Sequence, residues 1–232
     1  MQENYNIPKL GADHIFPNPR YACDEGILAY GGDLSPNRLL TAYRKGIFPW
    51  FNENDPILWW SPNPRLILEP THFKASKSLI KTIKSGKFEV RFDHDFESVI
   101  KNCATTPRFG QNGTWLTPQM QEAYIELFDM GFAHSVETYL DGKLVGGLYG
   151  IAMGKGFFGE SMFAHVSDAS KAALKTLSDV LACKGYDFID CQVRTEHLVS
   201  LGAIEISRED FLDRLKLALQ KPSDIGSWQD FI

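Results

Sequence analysis

The sequence predicts an α+β fold, and two observations carry that reading. The segments HSVETYL, LVGGLYGIA and GFFGESMF follow one another through short turns at Asp141-Gly142 and Met153-Gly154-Lys155, the pattern of an antiparallel meander. A helical stretch of ~18 residues, from about Asp168 to Lys184, then separates the third strand from DFIDCQV. That leaves no tight return, so the last strand lies parallel to the one before the helix, through a right-handed crossover.

Taken in order, residues 1–33 are rich in Pro, Gly and Asn and read as loop and short extended pieces. Ser35-Pro36 starts a helix, with Leu39, Leu40 and Tyr43 on its apolar side and Gly46 as the stop. GIFPWFNENDPILWWSPNPR, with Pro at 49, 56, 62 and 64, is neither long helix nor regular sheet interior. It holds Trp50, Trp59 and Trp60, three of the five tryptophans. Residues 72–91 carry six cations against Glu89, a net +5 in a chain of −5. Lys74, Lys77, Lys81 and Lys84 share one helix face there, opposite Leu79, Ile80 and Ile83. A second helix runs from Thr117 to Met130 and ends at Gly131. After the meander, helix and parallel strand come a short helix over 196–201, a strand at 203–207 and a final helix from about Arg208 to Gln220. The meander, helix and parallel strand resemble in their order the GCN5-related acyltransferase fold, an analogy of fold and not of function. In that fold, strands corresponding to 156–163 and 187–193 splay apart and acyl transfer occurs in the gap.

Composition excludes several classes. With 232 residues, 44% hydrophobic and 23% charged, the chain is neither disordered nor fibrous and has enough length for one large or two small cores. A net charge of −5 is not that of a polybasic nucleic-acid binder, although a local basic patch is allowed. Cys23, Cys103, Cys183 and Cys191 include no C-x-x-C pair, and their sparse use suits a reducing cytosol. MQENYNIPKL is no signal peptide, and no apolar run is long enough to span a membrane. Walker A, dinucleotide, H-E-x-x-H and G-x-S-x-G motifs are absent, and the six His show no metal-ligand spacing.

Asp190 and Gln192, two apart on one strand, point to the same face, opposite Ile189, Cys191 and Val193. Either they are a polarised pair, in which Asp190 accepts from the Gln192 amide and the Gln192 oxygen holds an amine, or the strand is an edge with a solvated face. Cys191 lies opposite Asp190 with no evident His, which argues against a thiol nucleophile. Glu160, among glycines and aromatics, is either a desolvated carboxyl with a raised pKa or a cation partner, or a hairpin residue facing water. Strand parity groups Phe158, Glu160 and Met162, with Phe157 on the other side unless a bulge intervenes at Gly156 or Gly159. Trp59-Trp60 reads as a core anchor, whereas Trp50 and Trp115 follow short loops and could stack a base or ring. The lysine face is either a solvated helix side or a row of phosphate contacts.

GGDLSPNRLLTAYRKGIFPWF, ILWWSPNPR, GTWLT, HSVE, LVGGLYG, FGESMF, ASKAAL, DCQV and SLGA, in order over residues 27–204, together resemble the leucyl/phenylalanyl-tRNA–protein transferase family. The resemblance implies two domains, 1–65 with the tryptophan loop and 66–232 as the acyltransferase-like catalytic domain. It implies a cytoplasmic enzyme that moves Leu or Phe, with Met a further candidate, from aminoacyl-tRNA to the α-amino group of proteins beginning with Arg or Lys, marking them for degradation. No cofactor, metal, membrane or DNA partner is implied. By position, Asp190, Gln192 and Glu160 match the family's catalytic polar residues. Trp50 and Trp115 match the aromatics around the terminal adenosine. Tyr124, Leu148, Phe157, Met162, Leu177, Leu181 and Ile189 match its side-chain pocket, and Lys74, Lys77, Lys81 and Lys84 fall where it carries basic residues for the tRNA acceptor arm. Asn63 stands where the family usually has Asp, and Tyr139 where Trp is common. Several pocket positions are aliphatic, which bears on the Leu-versus-Phe preference rather than the reaction. The rival readings are a CoA-dependent N-acetyltransferase, which would need a glycine-rich loop where this chain has AHVSDASK, and a non-catalytic RNA- or peptide-binding module.

Overall fold

The computed structural model describes residues 7–106 and 115–232; the Gly113-Thr114 start of the GTWLT string lies outside the described residues. The N-terminal part builds a small sheet from β1 (Lys9–Leu10) and β2 (Ile27–Gly31), then helix α1 (Pro36–Arg44), then β3 (Phe48–Pro49) and β4 (Leu58–Trp60). The strand order is β1-β2-β4-β3. Pro49 sits on the outer strand β3, where its missing N–H removes no interior ladder bond. The Pro-rich tryptophan stretch thus forms two very short strands, and β4 lies inside the small sheet. Trp59 is fully buried there, its indole N–H donating to the Gly31 carbonyl at 2.9 Å.

The second sheet takes the rest of the chain. In chain order its elements are β5 (Arg65–Leu68), α2 (Lys77–Lys84), β6 (Glu89–Phe92), α3 (Phe96–Thr105), α4 (Pro118–Asp129), β7 (Ala133–Leu140), β8 (Lys143–Met153) and β9 (Gly156–Ala164). There follow α5 (Ala169–Cys183), β10 (Phe188–Gln192), α6 (Glu196–Ser200), β11 (Ile204–Ile206) and α7 (Arg208–Ala218). Seven strands lie in the order β11-β5-β10-β9-β8-β7-β6. β7, β8 and β9 form the expected antiparallel meander, and β10 joins β9 in parallel after α5. β10 is interior, flanked by β9 and β5, so its polar residues do not line a solvated edge.

Three differences from the sequence reading are local. The lysine helix is shorter than the basic island: Ser76 caps it by accepting the Leu79 N–H, Lys74 lies in the coil before it, and residues 89–92 extend the sheet. Of the four lysines, Lys77, Lys81 and Lys84 lie on α2 and are exposed; Ile80, expected on the opposite side, is exposed with them, and Leu79 is the residue of the helix that is buried. Helix α3, absent from the reading above, is capped by Asp95 and buries Phe96, Val99, Ile100 and Cys103 at helical spacing. Of the first six strands, the sequence reading covers β1 and β2 as short extended pieces and β3 and β4 only as an irregular Pro-rich stretch; β5 and β6 are additions of the structure.

Two apolar layers sandwich the large sheet. On one face α5 packs Leu177 and Leu181 against Leu148, Phe157 and Ile189. On the other, α3, α4 and α7 contribute Phe96, Tyr124, Leu127, Phe211 and Leu215, packed against Tyr149 and Phe158. This second layer is continuous with Leu39, Tyr43, Phe48 and Trp59 of the N-terminal part. One core therefore carries α1 up to the middle of the large sheet.

Candidate active site

β9 and β10 are paired only from Phe188 opposite Gly156 to Asp190 opposite Phe158. Beyond that point the two strands part, and a bulge interrupts each. On β9, Tyr149 faces Ser161 and Gly150 faces Gly159, so Glu160 is the extra residue. On β10, Asp190 faces Ile67 and Gln192 faces Leu66 of β5, so Cys191 is extra. The Glu160 bulge switches side-chain parity: Phe157 and Met162 both turn toward α5, while Phe158 and Phe163 share the opposite layer. Close packing under the bulge excludes a side chain at Gly150, where a Cβ would meet the Phe158 carbonyl at 2.2 Å.

The opening between the parted strands is a cleft of ≈ 560 Å³. Leu148, Phe157, Met162, Leu177 and Ile189 form its apolar walls, and Trp50, Trp115, Glu160 and Gln192 also line it. Trp50 is 39% exposed and packs on Trp60 with ring centroids 5.3 Å apart. The Trp60 indole N–H donates to the Trp50 carbonyl at 2.6 Å, which fixes the loop. Leu181, one helical turn from Leu177, is buried behind the wall rather than on it. Tyr124 likewise lies behind the wall, against Glu160.

Polar side chains meet where the strands part. Asp190 is wholly buried and takes two bonds from Arg65, Nε to Oδ1 at 2.8 Å and Nη2 to Oδ2 at 2.6 Å. The Arg65 guanidinium lies between the rings of Phe48, at 4.8 Å, and Phe211, at 4.4 Å. Asp190 Oδ1 also accepts the backbone N–H of Gln192 at 3.0 Å. Gln192 has φ +58°, a conformation that costs a non-glycine residue ~1–2 kcal/mol and that this bond helps offset. The expected bond from the Gln192 side-chain amide to Asp190 is therefore absent. The left-handed turn puts the Gln192 N–H on Asp190 instead, and the side-chain Nε2 donates to Glu160 Oε1 at 3.2 Å.

Glu160 also meets two phenols, Tyr43 from α1 and Tyr124 from α4, each at 2.8 Å. The two hydroxyls are 2.7 Å from each other. Burial pushes the Glu160 pKa up to about 7, against the hydrogen bonds of the two tyrosines, and the neighbouring Asp190 charge raises it further. Burial likewise raises the Cys191 thiol well above its ordinary range, so it stays protonated in the cleft wall. Lys77, Lys81 and Lys84 stand apart on α2.

Arg65 and Tyr43 are the participants that sequence reasoning did not single out. A buried aspartate on an apolar strand does call for a cation. Its identity was hidden among 24 Lys and Arg, and the partner lies 125 positions away. Tyr43 reads as one more apolar position of α1. Among the described residues, no group of three His, Cys, Asp or Glu stands together as a metal site, and no helix is long and apolar enough to cross a membrane.

Residues 67–216 match the family described as leucyl/phenylalanyl-tRNA protein transferase, and residues 32–63 match that family's N-terminal domain. The chain belongs to this family. A leucyl/phenylalanyl-tRNA–protein transferase from Sulfurimonas denitrificans is 59% identical over 90% of this chain and 91% of its own length. The one from Dechloromonas aromatica is 52% identical over 96% of both chains. Among solved structures, a GCN5-related N-acetyltransferase from Kribbella flavida is similar at a TM-score of 0.35 and 11% identity, over 72% of this chain and 60% of that one. Within the transferase match, Glu160, Asp190 and Gln192 lie in the longer segment and Tyr43 and Trp50 in the N-terminal one.

Proposed function

We propose that this chain moves leucine or phenylalanine from a charged tRNA to the α-amino group of a protein, and that Gln192 is the group that meets the amine. The observation that carries this is the placement of the Gln192 carboxamide. It is held from its backbone by Asp190 and from its amide nitrogen by Glu160, at the point where β9 and β10 part into an apolar cleft.

The donor is an ester and already activated, so no covalent enzyme intermediate is needed. The amine nitrogen attacks the ester carbonyl carbon. The new C–N bond forms as the C–O bond to the ribose breaks, and the proton lost by the amine leaves with the ribose hydroxyl. With its Nε2 donating to Glu160, Gln192 has its oxygen left to accept an N–H of the neutral amine. Holding amine and ester in register is worth ~7 kcal/mol or more of the barrier. Asp190, buried and paired with Arg65, acts through Gln192 and not as a base on substrate. The aminoacyl side chain lies against Leu148, Phe157, Met162, Leu177 and Ile189, which suits unbranched-at-β apolar groups. Trp50 and Trp115 flank the terminal adenosine, and the exposed Lys77, Lys81 and Lys84, with Lys74 beside them, meet acceptor-arm phosphates.

The finer assignments rest on the family resemblance. Acceptors begin with Arg or Lys, Met is a third donor, and the modified proteins are directed to degradation in the cytoplasm. The division into domains 1–65 and 66–232 is supported by the separate four- and seven-stranded sheets, with the second sheet starting one residue before that boundary, at Arg65. The CoA-dependent acetyltransferase reading meets a specific obstacle. The N-cap of α5 is Asp168, at φ +70°, with its carboxylate on Lys171 Nζ at 2.9 Å. A pyrophosphate there would face a carboxylate.

One experiment separates the readings: labelled Leu-tRNA and a peptide beginning with Arg, with acetyl-CoA in a parallel reaction. Label passing to the peptide only from the charged tRNA is expected. Acetylation of the peptide, or tRNA binding without transfer, would overturn the proposal.

A further inference from the structure

Four oxygens close a cluster here: the Tyr43 and Tyr124 hydroxyls lie 2.7 Å apart, and each lies 2.8 Å from one oxygen of the Glu160 carboxyl, Tyr43 from Oε1 and Tyr124 from Oε2. Each of these contacts is a hydrogen-bond distance and needs a proton. If Glu160 is ionised, only the two phenols supply protons, and both point at the carboxylate. The Tyr43–Tyr124 contact is then two lone pairs facing each other at 2.7 Å, between two buried side chains. A third proton removes the conflict. With Glu160 neutral, its Oε2–H donates to the Tyr124 oxygen, Tyr124 donates to the Tyr43 oxygen, and Tyr43 donates to Glu160 Oε1. Oε1 is then a carbonyl oxygen with a second lone pair for the Gln192 amide.

We propose that Glu160 works as a neutral carboxylic acid closing a hydrogen-bonded ring with Tyr43 and Tyr124, and that it is a positioning residue for Gln192. It is neither a base for the amine nor an anionic partner for a cationic acceptor. The inference rests on the reading of Gln192 given above. The surroundings agree. Asp190 on β10 is a second carboxylate that disfavours an anion at Glu160, and among the described residues the cation facing the pair, Arg65 on β5, whose charge pulls the other way, is bidentate on Asp190. Neither phenol can supply the anion in its place, because burial holds Tyr43 and Tyr124 well above the ordinary tyrosine range, as does the Glu160 charge. Tyr149 on β8 adds no positive charge. Burial raises the Glu160 pKa to about 7, and a bound tRNA, by excluding water and adding phosphates, pushes in the same direction.

Glutamine reproduces the neutral acid: its NH₂ donates to Tyr124 and its oxygen accepts from Tyr43 and Gln192. Glu160→Gln is therefore expected to transfer at least about tenfold faster than Glu160→Ala at neutral pH. The ratio of Glu160→Gln to wild-type rate is expected to climb from about pH 6 to about pH 9, as the wild-type acid ionises and the amide cannot. The acceptor amine titrates equally in both and cancels from the ratio. An infrared difference spectrum of wild type against Glu160→Gln should show a carboxylic-acid carbonyl band at neutral pH that fades on alkalinisation. A Glu160→Gln rate as low as that of Glu160→Ala, a ratio flat with pH, or a carboxylate spectrum at neutral pH would overturn the proposal. If wild type transfers nothing, the functional reading fails, while the infrared band still decides the protonation of Glu160. Thermal unfolding of each variant guards against a folding defect, and Tyr124→Phe, which removes one proton from the ring, should shift the same infrared band.

Discussion

Arg65 and Asp190 form an ion pair with 1% and 0% of their side chains exposed, and such a pair is asymmetric in its energetics. Intact, it contributes little net stability, because desolvating two charges offsets their attraction. Broken, it leaves a buried charge without a partner. Arg65→Met should therefore destabilise the chain by about 3–5 kcal/mol, read from urea unfolding, whereas Arg65→Met with Asp190→Leu should recover much of that loss. Arg65→Lys should not restore function, since one ammonium cannot make the two parallel bonds. Glu160 makes a signed prediction for stability against pH. Its folded pKa, about 7, lies above the ordinary value of 4.5, so the native state binds more protons than the unfolded chain between those limits. Stability should fall as pH rises from about 4.5 through 7, and Glu160→Gln should flatten that part of the profile. Sequence alone pointed to Asp190, Gln192 and Glu160, because polar groups on apolar strands need partners. It could not name those partners: Tyr43 stands 117 positions from Glu160, and contacts at that separation leave no periodicity to read.

At the scale of elements, the site is made by two bulges on neighbouring strands. The meander, the crossover helix and the parallel strand were legible from turn residues and spacing. Of the bulges, parity hinted only at the one on β9, as an alternative near Gly159. The bulge at Cys191 carries no such mark, and it is what converts the expected side-chain bond between Asp190 and Gln192 into a backbone one. Helix α3 does carry a sequence signal, since Asp95 followed by Phe96, Val99, Ile100 and Cys103 has both a cap and a helical stripe. Gly150→Ala should destabilise by about 1–3 kcal/mol in urea and lower transfer, because its Cβ displaces the Phe158 carbonyl next to the bulge. On the proposed reading, the cleft walls from β8, β9 and α5 select the donor side chain. Met162→Phe narrows the cleft and should lower use of Phe-tRNA more than Leu-tRNA, by about 10-fold or more in the ratio of kcat/KM values.

For the whole molecule, the continuous core that joins Tyr43 and Trp59 to Phe158 and Tyr149 makes the proposed reaction centre a product of both sheets. Glu160 is satisfied only when α1 is packed against the large sheet. The basic face of α2 lies apart from that centre, in an otherwise acidic chain, which suits a substrate gripped at a distance from its reacting end. Replacing Lys77, Lys81 and Lys84 by Glu should raise KM for charged tRNA and lower the salt dependence of binding by about 0.7–0.9 per lost phosphate contact, with little change in kcat. The central claim is that one carboxamide, fixed by a buried ion pair below and a neutral acid beside it, presents an amine to an ester. Gln192→Ala tests it most directly, with transfer to an Arg-starting peptide and affinity for Leu-tRNA measured on the same preparation. Transfer should drop about a hundredfold while tRNA affinity stays within about threefold of wild type. Transfer near the wild-type rate would contradict the account.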